Sequence, residues 1–160
     1  MGYAIPCSLV FLIPSLPHPV KGGQKIVQVR TIEYQSKAQD TLFKSCNGQK
    51  KCICINDAIF KHDSSWATAG VGARTLNPCN TRPSANHPKP FKVAYSKNGP
   101  FAQFSTLDDG IISCVSLYQR NYSKLGPTAT VKIWSGHSRD KNFPSTPSER
   151  AYVSAVASCY

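Results

Sequence analysis

Six cysteines, Cys46, Cys52, Cys54, Cys79, Cys114 and Cys159, follow the first forty residues of this 160-residue chain, and they constrain its fold more than any other feature. An even number in a short chain reads as a disulfide framework, with fifteen connectivities open. Zinc is the competing use. Structural zinc sites usually carry two C-x-x-C or C-x-x-H knuckles. Here the close spacings are C-x5-C and C-x-C, and His62 lies eight residues past Cys54. Disulfides are therefore expected, each contributing roughly 2–4 kcal/mol by restricting the unfolded chain. No metal or cofactor motif is present.

The seventh cysteine, Cys7, lies in an apolar opening segment, MGYAIPCSLVFLIPSLPHPV. Residues 1–20 read as a signal peptide or as an N-terminal arm, and residues 21–160 as one domain. The length suits a signal-peptide core, although no Lys or Arg precedes Lys21 and no A-x-A cleavage site follows. The cysteines tip the reading toward a secreted, extracellular protein. No uninterrupted apolar run of about 18 residues exists, so no transmembrane segment is expected.

Lys and Arg total 19 against 8 Asp and Glu, a net charge of +11. Residues 1–80 carry nine basic and four acidic side chains, and residues 81–160 carry ten and four. The excess is spread rather than focused. It favours general attraction to anionic or polar surfaces, glycans or nucleic acid, although no motif indicates nucleic acid. Because 41% of residues are apolar and 10% aromatic, disorder and collagen-like structure are excluded.

Periodicity predicts an α+β domain with a mixed, mainly antiparallel sheet and one or two helices, stabilised by disulfides. Expected strands are 25–34 (KIVQVRTIEY), CICIN at 52–56, FKVAY at 91–95, IISCVSLY at 111–118 and ATVKIWS at 129–135. Residues 36–46 carry a helical stripe of Ala38, Leu42, Phe43 and Cys46, with Ser36 as N-cap. Asn47-Gly48 marks a tight turn, and so do Asn98-Gly99-Pro100 and Asp108-Asp109-Gly110. Residues 61–90, rich in Gly, Pro, Ser, Thr and Asn, read as one long loop, either functional or tied down by Cys79. Near the C-terminus, Thr146-Pro147-Ser148-Glu149 has the form of a capping box with proline at the first helical position. It favours a helix from Pro147 over the strand that the alternation of AYVSAVASC also allows.

Catalytic motifs are scarce. There is no G-x-S-x-G, and Gly70-Val71-Gly72 lacks the Lys-Ser or Lys-Thr of a phosphate loop. The strongest enzyme alternative is a small secreted basic ribonuclease. Such enzymes need two acid–base groups beside a cation, and His62, His87, His137, Glu33 and Glu149 are the candidates. A third alternative is a secreted effector or toxin-like protein acting by protein interaction. Trp66, Trp134 and the tyrosines are suited either to stacking on sugar rings or bases or to the core. Asn121-Tyr122-Ser123 has the form of an N-glycosylation acceptor.

Residues 26–97 contain, in order, IVQVRTIEYQ, CNGQKKCICINDAIF, NPC at 77–79 and KPFKVAYSK. This series resembles the sea-urchin-egg-lectin-like domain of galactose- and rhamnose-binding lectins. The resemblance implies a disulfide between Cys46 and Cys52. It also implies sugar contacts by Asn56, by Asn77, which stands where the family has Asp, and by Lys89. An amide, a second amide and an ammonium together satisfy vicinal hydroxyls. The leading expectation is thus a carbohydrate-binding module without catalysis.

Overall fold

A computed structural model of the chain describes residues 36–160. The expected strand at 25–34, the opening segment, Cys7 and Glu33 lie outside the described residues. Within them, the α+β class holds but its balance is inverted. Six helices accompany one two-stranded antiparallel hairpin, where a larger sheet with one or two helices was expected.

Helix α1 (residues 36–45) buries Ala38 and Leu42 and turns Phe43 outward, so Phe43 leaves the predicted stripe. The chain then reverses through Asn47 and Gly48, both at positive φ (51° and 69°), as Asn-Gly predicts. Helix α2 (Lys50–Ser64) replaces the expected CICIN strand. Its buried residues Cys52, Ile55, Ile59 and Phe60 recur at helical spacing, a pattern wider than the five-residue window that suggested a strand. The long loop expected at 61–90 is therefore shorter. It begins inside α2 and is interrupted by helix α3 (Gly70–Thr75).

Between α2 and α3 the backbone makes a left-handed run. Ser65, Trp66 and Ala67 have φ of 47°, 62° and 56°. L-residues adopt this region at a cost and seldom in succession. The Ser64 hydroxyl holds the run in place. It accepts the Ala67 N–H at 2.7 Å and donates to the Pro78 carbonyl at 2.6 Å. Trp66 sets its ring edge-on to Phe60, with centroids 5.3 Å apart.

Strands β1 (Phe91–Ser96) and β2 (Gly99–Phe104) pair from Phe91↔Phe104 to Ser96↔Gly99, with the turn where Asn-Gly placed it. The buried side chains of the hairpin belong to β2, Ala102 and Phe104 on one face and Phe101 on the other. On β1, Val93 and Tyr95 are exposed.

Helix α4 (Leu107–Asn121) and helix α5 (Pro127–Trp134) replace two more expected strands. Thr106 caps α4 by accepting the Asp109 N–H at 3.1 Å, and Asp108 and Asp109 sit favourably in its positive first turn. What read as an Asp-Asp-Gly turn is thus a helix start. Ile111, Cys114, Val115 and Tyr118 form its buried stripe. Gly126-Pro127 opens α5, since proline suits the first helical position. Helix α6 (Pro147–Ala157) starts at the predicted capping box and buries Tyr152 and Val156, four residues apart. The alternating strand reading is not realised.

All six cysteines of the framework pair. Cys46–Cys52 closes the α1–α2 turn, Cys54–Cys159 joins α2 to the chain beyond α6, and Cys79–Cys114 anchors the segment after α3 to α4. One buried cluster, including Leu42, Ile59, Phe60, Ile111, Val131 and Val156, draws side chains from five of the helices. Among the described residues no helix is long and apolar enough to cross a membrane.

Sequence separations of 105 and 6 residues rank two of these bridges. Loop-closure entropy gives about 4–5 kcal/mol for Cys54–Cys159 and about 2–3 kcal/mol for Cys46–Cys52. Urea titration of C54S/C159S and C46S/C52S double variants should show that order, and equal losses would refute it. A second expectation concerns acid. The Glu149 carboxylate accepts the backbone N–H groups of Thr146 (2.9 Å) and Ser145 (2.7 Å), which lower its pKa to about 2. Its stabilisation of the α6 start is complete above the ordinary value of 4.5 and is lost as pH falls toward 2. Amide exchange at Thr146 should accelerate across that window in the parent and not in Glu149→Gln, whose neutral side chain does not titrate.

Candidate functional site

The segment after α3 is built around Asn77. Leu76 ends α3 in the left-handed conformation, and the Asn77 side chain then points inward. Its Nδ2 donates to the carbonyls of Thr81 (3.0 Å) and Ala102 (2.8 Å). Its Oδ1 accepts the Thr81 N–H (3.0 Å) and hydroxyl (3.2 Å). All four hydrogen-bonding positions of the carboxamide are thereby filled. The turn is locked to β2, while Cys79–Cys114 locks it to α4. Gly110 lets α4 lie directly on this turn, since a Cβ there would fall 2.0 Å from the Leu76 carbonyl oxygen.

Residues 79–87 are then presented to a cleft of about 560 Å³. The ends of α4 and α5 complete it with Leu117, Arg120, Tyr122 and Trp134. Arg82 lies over the Phe101 ring, 4.1 Å from the centroid, and its Nη1 donates to the carbonyls of Asn98 and Pro100, each at 2.8 Å. His87 donates from Nε2 to the Arg82 carbonyl at 2.8 Å, with its ring edge-on to Phe91 and Phe104. The Trp134 indole N–H donates to Asp63 Oδ2 at 2.9 Å, and its ring meets Tyr122 edge-on at 5.1 Å. Asn80 Nδ2 donates to the Asp63 carbonyl at 2.6 Å. Asp63, at the end of α2, therefore fixes an aromatic residue of the cleft and its neighbouring loop together.

Burial pushes the Tyr122 phenol up. It does the same to Tyr152, where the nearby Asp63 carboxylate adds to the effect. Both phenols remain neutral and serve as hydrogen-bonding or stacking groups at ordinary pH.

The residues singled out from the sequence lie elsewhere. Asn56 is wholly buried inside α2, donating to the Cys52 carbonyl at 2.9 Å. Asn77 is wholly buried in the turn just described. Lys89 is half-exposed, with its ammonium 4.0 Å from Asp109. None of the three lines the cleft, and the two amides meet no solvent in this fold. Of the histidines, His87 lines the cleft. His62 stacks on Tyr152 at 3.7 Å, and His137 sits 3.8 Å from Glu149, whose other oxygen closes the capping box. Trp66 packs on Phe60, whereas Trp134 lines the cleft. Among the described residues no three His, Cys, Asp or Glu side chains gather as metal ligands.

Arg82, Asp63, Asn80 and Arg120 were not foreseen, and Tyr122 only as one of the tyrosines suited to stacking. The available signal was the loop tied by Cys79, which holds Asn80 and Arg82 at the cleft. Asp63, Arg120 and Tyr122 sit at helix ends, where nothing local in the sequence marks them.

Asn77→Asp separates the two roles of this position. A carboxylate accepts but does not donate, so the Thr81 and Ala102 carbonyls lose their partners and a charge is buried. We expect a loss of about 3–5 kcal/mol in denaturant titration. A sugar-contacting role would instead give tighter sugar binding with stability unchanged.

No protein-family model, curated protein or solved structure matches the chain.

Proposed function

We propose that the protein is a carbohydrate-binding module without catalysis, working in an oxidising, extracellular compartment. Its glycan is held in the cleft between residues 79–87 and Trp134. The observation that carries this reading is the composition of that cleft. Fixed aromatic side chains stand beside amide, hydroxyl and guanidinium groups in an open space of about 560 Å³. Sugar rings present an apolar face and a rim of hydroxyls, and a pocket that mixes rigid aromatics with a few placed polar groups suits both. The lectin-like resemblance supports the ligand class, while the contacts it implied at Asn56, Asn77 and Lys89 move to the cleft.

Extracellular action is supported by the three disulfides, which persist where thiols are not kept reduced. Absence of catalysis is supported by how the acid–base groups of the cleft are used. His87 donates Nε2–H to the Arg82 carbonyl and keeps its other ring nitrogen, Nδ1, buried from solvent, while Asp63 Oδ2 accepts the Trp134 indole N–H. A ribonuclease needs two such groups free to face one phosphodiester.

The test is a screen of the full chain against immobilised glycans, followed by calorimetry on the best binder. Trp134→Ala should weaken binding by about 10-fold or more, as removal of a central aromatic contact does. Lys89→Ala should leave it unchanged. A fold-intact Trp134→Phe variant, checked by its thermal transition, should retain most of the affinity. Binding that ignores Trp134, or RNA cleavage lost on His87→Ala, would overturn the proposal.

A further inference from the structure

We propose that the Arg82 end of the cleft is an anion subsite, so that the glycans taken are acidic ones carrying a carboxylate or a sulfate. This rests on the carbohydrate reading above and narrows its ligand class.

Arg82 is held for the purpose. Both hydrogens of Nη1 are spent on the Asn98 and Pro100 carbonyls, and the guanidinium carbon lies 4.1 Å over the Phe101 ring centroid. Gly99 makes that grip possible, because it adopts φ of 93° and a Cβ there would come within 3.3 Å of Nη1. The remaining edge, Nε–H and Nη2–H₂, has no partner among the described residues. It is a preoriented fork of the shape that takes two oxygens of a carboxylate or sulfate at once. Because the side chain is already fixed, little rotamer freedom is lost on binding.

A second guanidinium lies in the same cleft. Arg120, exposed in the last turn of α4, has no carboxylate within salt-bridge reach among the described residues. The one carboxylate of the lining, Asp63, is engaged by the Trp134 indole and lies 3.4 Å from the His62 ring nitrogen. The two cations of the cleft therefore have no internal counter-charge in contact, and an anionic ligand supplies it. Two guanidiniums beside fixed aromatics suit an isolated charge on a sugar. A nucleic-acid backbone calls for a row of cations following successive phosphates.

The experiment is calorimetry on the full, disulfide-bonded chain with four probes of equal length: an oligogalacturonide, a sulfated galactose oligosaccharide, a neutral galactose oligosaccharide and oligouridylate. At least one acidic sugar should bind about 10-fold or more tightly than the neutral one, the scale of hydrogen bonds to a charged group. Which acidic arm wins assigns carboxylate or sulfate. Arg82→Gln should bring the acidic and neutral affinities together. Arg82→Lys should not restore the difference, since an ammonium lacks the fork. Arg120→Gln, at an exposed position where folding is not at risk, should also reduce the acidic preference. Equal affinity for acidic and neutral sugars would refute the subsite and leave the carbohydrate reading standing. Failure of all three sugars would refute both, and oligouridylate binding tighter than every sugar would replace them with a nucleic-acid site.

Discussion

The side chain of Asn77 is the constraint on which the cleft depends. Its carboxamide, removed from water, returns every hydrogen bond it forfeits by joining the turn at Thr81 to the strand at Ala102. A buried polar group that is fully paired specifies one geometry, because any shift leaves a donor or acceptor stranded at a cost of about 1–3 kcal/mol. Neighbouring restraints share that geometry. The Cys79–Cys114 bridge leaves the same turn, and the Gly110 backbone lies on its Leu76 carbonyl. Three unrelated restraints, one polar, one covalent and one steric, converge on the six residues 76–81.

The proposed function rests on what those restraints present. Asn80 and Arg82 enter the cleft only because residues 76–81 are immobilised, and the hairpin tip then orients the Arg82 guanidinium through two carbonyls. On the other side, Asp63 reaches from α2 to hold Trp134 of α5. Helix ends and loop supply the chemistry, and the buried helical faces supply the rigidity, a common division in small domains.

What was legible in the sequence followed from signals that name their own hydrogen bonds. Thr146, Pro147 and Glu149 announced α6 because the capping box is a local reciprocal pair. Asn98-Gly99 announced the hairpin because positive φ at Gly99 carries little steric penalty. The cysteines announced bridges, though not which ones, apart from the Cys46–Cys52 pair implied by resemblance. Three helices were read as strands for one reason. In 52–56, 111–118 and 129–135, isoleucine, valine and threonine are dense enough to mimic a strand over a short window, while the helical repeat shows only across two or more turns. Thr106-x-x-Asp109 was a start signal of the same kind as the one recognised at Thr146, masked by the Asp-Asp-Gly turn pattern. Asn56 and Asn77 had the right chemistry for sugar hydroxyls. Only the fold reveals that this chemistry faces inward, because burial is a tertiary property and the amide is the same in either place.

The covalent link from Cys54 to Cys159 encloses the stretch that carries the hairpin, α4, α5 and α6, and within it Cys79 and Cys114 enclose a smaller one. A protease that cuts one peptide bond anywhere between residues 80 and 113 therefore releases no fragment, since both pieces stay tethered twice over. The cleft-lining residues from Asn80 to His87 are included in that doubly spanned interval. For a molecule proposed to work in an extracellular compartment, the architecture converts a severed chain into a nicked but still assembled one.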